Sequence, residues 1–583
     1  LQKEGEIRKQ LERHVLRRVA PLEIPKDLQK WSKISRELRA AVLQEVVFRG
    51  VPREWRRSPV KYFFCKKVIE QNGYTIRLLR YEAIPGLWIP AVLYLPENGG
   101  KGLKRKVPAV LNLNGHDGRG KVAPYKQIRC INQAKRGLIA LNVEWFGMGQ
   151  LRGAGFRHGC SNQLELLGTS AIGPFYLAMQ KALDLLTSFD HVDSSRIAVA
   201  GLSGGGWQTI FISSLDERVA LANPVAGYSA TTTRAFYESD LGDSEQAPTD
   251  FACIADYTHL TALRAPRPTL LTYNAYDDCC FAAGHALGPL LEAAQGAFSV
   301  FGKPENLRWH VNYDPGTHNF ERLNREAFYR ALRDFFFKGS RKFSATEIEA
   351  ESELKSSKDL EVPLPKDNLD FNKLALLLLK KRKTQGLSLP HDKSLRTRFL
   401  AEKRKELADI VHQEKWRVKK YRLKVKDLSW GKIYFVWLEL TEDFELPVIV
   451  FEPKKAKSTA ILLNDRGMAS TAQHLPTLLS KATRVITFDP LFVGSRSLRR
   501  NARWALLVQS VGGRPLGIQL SELSAVCDFV FARFRTRGIE VCSSGPRTGL
   551  LALAGRALLP RKIKGVKTKD SVSYTHLTLP TKA

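Results

Sequence analysis

The chain is poor in acid. Against 91 lysines and arginines stand 58 aspartates and glutamates, a formal net charge of +33 over 583 residues. An excess of that size can draw a protein to nucleic acid or to an anionic surface. No zinc-finger, RNA-recognition or helix-turn-helix signature accompanies it, so it reads as solvated helix faces, and no nucleic-acid partner is expected. The basic residues thicken between Lys373 and Lys426, in runs such as "KKRK" and "RVKKYRLKVKD". Also missing is any uninterrupted apolar run of bilayer length, Leu374–Leu379 being much too short, so no membrane partner is expected either. The eight cysteines include no C-x-x-C pair and have no histidines at metal-ligand spacing, which argues against a zinc site. No metal and no organic cofactor is expected. The first residue is Leu1 rather than Met, and a truncated N-terminus is expected, with secretion, periplasm and cytoplasm all left open. What remains is ordinary globular composition, 44% hydrophobic and 26% charged, in a chain long enough for two or more domains.

One stretch concentrates chemistry. In "RIAVAGLSGGGWQTI" a single serine, Ser203, sits among four glycines. The run Ile197–Ala200 is short, apolar and partly β-branched, as a buried parallel strand would be. Beyond it the apolar residues Trp207, Ile210, Phe211 and Leu215 recur at helical spacing. Gly201-Leu202-Ser203-Gly204-Gly205 is therefore a G-x-S-x-G nucleophile elbow between strand and helix, the context that motif requires.

A serine hydroxyl is a poor nucleophile until a base takes its proton, and the base needs an orienting acid. Behind an elbow the chain order is Ser, then Asp or Glu, then His, each off the end of a strand. "PRPTLLTYNAYDDCCF" supplies a strand over Thr269–Tyr273 that ends at Asp277-Asp278, with Cys279 and Cys280 flanking the loop. "LRWHVNYDPGTHNF" supplies a strand over Leu307–Tyr313, then a turn carrying His318; His310, inside the strand, reads as structural. Asp277, the earlier position, is the favoured acid. Asp278 is the alternative, and whichever aspartate does not face the histidine is expected to cap the following helix. The developing oxyanion needs two N–H donors. One is that of Gly204. The other is expected from His116, in the turn after the strand Ala109–Leu113 of "VPAVLNLNGHDGRG".

Together "GYTIRLLRYEAIPGLWIPAVLYLP", "NLNGHDG", "VEWFGMGQ", "VDSSRIAVAGLSGGGWQT", "RAPRPTLLTYNAYDDCCF" and "DPGTHNF" resemble the acetyl xylan esterase and dienelactone-hydrolase-like branch of the α/β-hydrolases. The resemblance covers roughly residues 60–338. It implies a mostly parallel, doubly wound sheet, and a second oxyanion donor from an H-G-Y-type loop that here reads Asn114-Gly115-His116. It also implies a D-x-R-G-Q-G-type turn, here Glu144 to Gly149, as scaffolding near the pocket.

A second set of segments echoes the first. "LWIPAVLYLPENG" pairs with "FELPVIVFEPKKA", "VPAVLNLNG" with "STAILLNDRG", and "GLIALNVEWFGMG" with "RVITFDPLFVG". "RIAVAGLSGGG" pairs with "GIEVCSSGPRTG", which places Gly545 opposite Ser203. A tandem duplication with a degenerate, truncated second copy is expected. The resulting domains are an N-terminal helical segment (1–59) packed on the first domain, a catalytic α/β-hydrolase domain (60–338), a linker (339–372) and the second copy (373–570). Residues 571–583, "SVSYTHLTLPTKA", continue no pattern and are expected to be a non-native, adapter-derived tail.

The expectation is a serine carboxylesterase working through Ser203, His318 and Asp277, a carbohydrate deacetylase of the acetyl xylan type, acting on a small-molecule or polysaccharide ester. The alternatives are a peptidase of the prolyl-oligopeptidase type and, from another class, a non-catalytic carbohydrate-binding or scaffold protein. Acyl group, natural substrate and oligomeric state are left open.

Overall fold

Two-residue turns start the architecture. Asn72-Gly73 and Pro85-Gly86 separate three long strands, β1 (Tyr62–Gln71), β2 (Tyr74–Ile84) and β3 (Leu87–Pro96), and both glycines take positive φ, 85° and 86°. Such turns favour tight antiparallel hairpins, and β1, β2 and β3 pair that way. The computed structural model describes residues 2–97, 106–381 and 388–570. The tail expected at 571–583 lies outside the described residues. Within them the chain divides into two units, Val19–Thr384 and Leu1–Arg18 with Gln385–Ala583.

In the larger unit the hairpins are followed by strands that alternate with helices: β4 (Val107–Leu113), β5 (Ile139–Val143), β6 (Val192–Leu202), β7 (Val219–Val225), β8 (Thr269–Asn274) and β9 (Leu307–Asn312). The described strands form one nine-stranded sheet, in the order β1-β2-β3-β5-β4-β6-β7-β8-β9. From β5 to β9 the pairing is parallel. Parallel strands covered on both faces read as continuous apolar runs, and β4 to β6 are fully buried from Ala109, Ile139 and Ile197 onward. The helix Gly204–Leu215 shows the same logic, being buried on every side and not along one stripe. This is the α/β-hydrolase fold, and its loops at the carboxyl ends of the parallel strands form the cleft where such sheets bind ligands.

Two expected boundaries move. Residues 339–372 are no free linker; they run as a strap along the larger unit. Side-chain amides hold the strap's backbone at both N–H and C=O: Asn132 at Ile348, and Gln127 at Lys355. Asn368 of the strap grips the backbone of Trp88 in the same way. Ala350, Leu360 and Val362 are buried against Tyr74 and Tyr94. The following helix, Phe371–Lys381, also belongs here, because Phe371 packs on Phe146 and Phe175. The N-terminal segment is divided too. Helix Leu28–Ala41 lies in the larger unit, but helix Glu4–Leu16 belongs to the smaller one: Ile7, Leu11 and Val15 are buried, and Gln10 accepts a hydrogen bond from the backbone of Glu445.

The smaller unit contains β10 (Val418–Leu428), β11 (Gly431–Leu440), β12 (Glu445–Pro453), β13 (Ser458–Asn464), β14 (Thr483–Phe488), β15 (Ile539–Ser544) and β16 (Ile563–Lys569). Their order is β10-β11-β12-β14-β13-β15-β16, strand for strand that of β1 to β7 in the larger unit. The lysines of "VKKYRLKVKD" lie along β10, an exposed edge strand, where charge discourages edge-to-edge pairing. Helix Pro515–Phe534 is long and apolar enough to cross a membrane by length and composition. Here Leu520, Leu523 and Val526 are buried within the unit, and its Glu522 forms a buried ion pair with Arg496 at 2.5 Å.

Candidate active site

Ser203 is the single residue between β6 and helix Gly204–Leu215, with φ 59° and ψ −122°. A side-chain-bearing residue in that region stores strain of roughly 1–3 kcal/mol, and such residues persist only where their surroundings fix them. The fixing bonds run from Ser203 N–H to the carbonyl of Val225 (2.9 Å) and from Trp207 N–H to the carbonyl of Ser203 (2.9 Å).

The expected acid and base, Asp277 and His318, stand on the loops after β8 and β9. Nδ1 of His318 lies 2.9 and 2.8 Å from the two oxygens of Asp277, whose carboxylate is fully buried. That carboxylate also accepts the N–H groups of Cys279 and Cys280 and the side-chain amide of Asn274, each at 3.1 Å. Burial works to lower the His318 pKa. The hydrogen bond and charge of Asp277, joined by Cys279 and Asp278, outweigh it, and the net shift is upward. Asp278 does a different job. It is exposed, accepts the backbone N–H of His318 at 2.9 Å, and for that reason holds its carboxyl below the usual range. It does not cap the following helix, whose N-cap is Ala282.

The turn after β4 is held against the elbow. Asn114 donates to Asn142 and to the carbonyl of Val143, and its own carbonyl accepts from Gln208. A Cβ on Gly115 would lie 2.5 Å from the carbonyl oxygen of Leu202 and 2.9 Å from the nitrogen of Gly204, so only glycine fits. The backbone of Gly115 therefore lies directly against that of Leu202–Gly205 at the elbow. Gly204 is confined from the other side, since a Cβ there would meet the ring of Trp145 at 2.1 Å.

Residues 53–252 match the family model described as acetyl xylan esterase (AXE1). This region is similar to the acetyl xylan esterase family over about a third of the chain. No curated protein matches the chain. Among solved structures, methylesterase BT1017 aligns at 21% identity and TM-score 0.47, over 68% of this chain and 81% of its own. The glucuronoyl esterase from Solibacter usitatus aligns at 16% and 0.40, over 52% and 92%. The acetyl xylan esterase from Paenibacillus sp. R4 aligns at 17% and 0.37, over 56% and 99%.

The larger unit also gathers residues that motif reading passed over. Glu144 was legible as scaffolding: its buried carboxylate accepts the backbone N–H of Lys121 (2.7 Å) and of Gln150 (3.1 Å), tying two loops together. Asp240 and His285 form a second acid–histidine pair at 3.0 Å, and Asp240 also holds the N–H of Phe281 in the acid loop. His158, Asp243 and Glu245 converge on the imidazole of His116. Asp243 and Glu245 share one loop and His158 comes from another, and no metal-binding motif marks the set.

Proposed function

We propose that the larger unit is a serine carboxylesterase that removes small acyl groups, acetyl foremost, from carbohydrate. The observation that carries this reading is the pair formed by His318 Nδ1 and the buried carboxylate of Asp277, on loops at the same edge of the sheet as a serine held at the elbow φ. With Nδ1–H given to Asp277, the lone pair on His318 Nε2 serves as the base. Ser203 Oγ attacks the ester carbonyl as His318 takes its proton. The N–H groups of Gly204 and His116 receive the oxyanion. Collapse expels the sugar alkoxide, which takes the proton back from His318, and water repeats the sequence on the acyl-serine to release the carboxylic acid. A panel of p-nitrophenyl acyl esters, acetylated xylan and peptide amides tests the reading. Short acyl esters and acetylated xylan should be cleaved and peptide amides should not; preferred amide cleavage would favour a peptidase instead. Ser203→Ala should lower kcat by about 10³-fold or more, because triad members act as a unit, and should abolish labelling by a fluorophosphonate.

For the smaller unit we propose a degenerate copy with no turnover of its own. Gly545, at φ 104°, occupies the elbow position between β15 and helix Pro546–Leu558, and its N–H meets the carbonyl of Lys569 as that of Ser203 meets Val225. Pro546 has no N–H to offer. The donors that follow are taken by Asp465, whose carboxylate accepts from Arg547 N–H at 3.0 Å and Thr548 N–H at 2.7 Å. Among the described residues no strands stand where β8 and β9 carry the acid and the histidine.

A further inference from the structure

Next to the elbow, four side chains from three chain segments turn their donor atoms on one point. We propose that His116, His158, Asp243 and Glu245 bind one divalent transition-metal ion of the zinc class. Nε2 of His116, Nδ1 of His158 and one oxygen from each carboxylate all lie within 4.8 Å of one another. His116 Nε2 is 3.3 Å from His158 Nδ1 and 3.1 Å from Asp243 Oδ2, and His158 Nδ1 is 2.9 Å from Glu245 Oε2. A tetrahedral ion with bonds of about 2.0–2.2 Å sets its ligand atoms roughly 3.3–3.6 Å apart, close to the three separations just given.

The tautomer of His158 strengthens the case. Its Nε2 lies 2.9 Å from the carbonyl of Phe146, which can only accept, so Nε2 carries the hydrogen. In the neutral ring Nδ1 then turns a lone pair toward a carboxylate and a second imidazole. A proton on Nδ1 would answer one of these neighbours, whereas a metal ion answers all of them. Metal-bound histidines characteristically donate their other N–H to a backbone carbonyl in this way. Glu245 is the second observation. Its side chain has no solvent exposure, neither carboxylate oxygen meets a donor in full hydrogen-bond geometry, and its one cationic neighbour is the imidazole of His158, 2.9 Å from Oε2. A buried, unbonded carboxylate is costly unless a cation faces it. Trp145 packs on both imidazoles, with ring centroids at 4.7 and 4.5 Å. His158 and Glu245 form the enclosed half of the site, while His116 and Asp243 are about one-third exposed and leave an entry. The ion would tie the turn that carries the His116 N–H to the loop after β7.

This departs from the expectation of no metal, which rested on spacing along the chain; these ligands share no motif. The rival position for a soft metal is Cys279, Cys280 and His318, whose donors are also close together. The inference concerns binding and does not depend on the proposed reaction. The full chain, stripped with a chelator and dialysed, is titrated with Zn²⁺ by calorimetry and with Co²⁺ by absorption. One equivalent should bind, and the cobalt form should show tetrahedral d–d bands without a thiolate charge-transfer band. His158→Ala, Glu245→Gln and the more exposed His116→Gln should each weaken binding by about 100-fold or more, with circular dichroism confirming the fold, while Cys279→Ser/Cys280→Ser should bind as before. Absence of binding by the unaltered chain overturns the site, as do binding indifferent to all three substitutions and a thiolate band lost with the cysteines.

Discussion

At the residue scale, the two adjacent aspartates have separate work. Asp277 orients the imidazole, so Asp277→Asn should lower kcat by about 10⁴-fold by favouring the wrong tautomer. Asp278 supports only the backbone of His318, and Asp278→Asn should cost far less; steady-state kinetics on both variants checks the ranking. The upward shift of His318 has a definite sign in the pH profile. A general base must be neutral, so kcat/KM should rise with pH along a limb lying above the ordinary imidazole value of about 6.5. In Asp277→Asn the largest upward influence is gone, and the limb of the residual activity should move to lower pH. Ser203, His318 and the pair of aspartates were legible because an elbow motif and strand-end loops leave local traces. Asp277 was the favoured acid and is the one that meets the ring, but the hold of Asp278 on the His318 backbone was not legible, because it depends on where the loop after β9 lands.

Elements set the cleft through close backbone approach. Gly115→Ala places a methyl 2.5 Å from the carbonyl of Leu202, in a wall that is backbone on both sides. Overpacking of this kind costs about 1–3 kcal/mol, so thermal unfolding should shift downward. Because the displaced turn carries the His116 N–H, kcat should fall more than KM rises. The strands β4, β6, β8 and β9 could be read from short apolar runs ending in turns. The strap could not. Its backbone bonds to side-chain amides of Gln127 and Asn132 in place of a ladder, so it has neither period two nor period 3.6, and its polar composition reads as a tether.

For the whole molecule, the expectation is one working centre. Ser543 is nearly buried and its hydroxyl has no hydrogen-bond partner, while Ser544 precedes the Gly545 corner. Ser543→Ala and Ser544→Ala in the full chain should therefore leave ester hydrolysis unchanged, measured on the same substrates that Ser203→Ala no longer turns over. The expected correspondence of the two units rests on echoed segments, and two carboxylates make like contacts: Asp489 accepts from Met468 N–H and Ser495 N–H as Glu144 accepts from Lys121 and Gln150. The share of helix Glu4–Leu16 in the smaller unit was not visible, since an amphipathic stretch does not name the surface it covers. The strap also has a practical side for anyone shortening the gene. A chain stopped after helix Arg322–Phe336 would keep every residue of the proposed chemistry, yet it would bare the apolar patch around Tyr74 and Tyr94 that Ala350, Leu360 and Val362 seal. Such a truncation should come out of cells as aggregate, and the shortest well-behaved esterase should run on through Lys381.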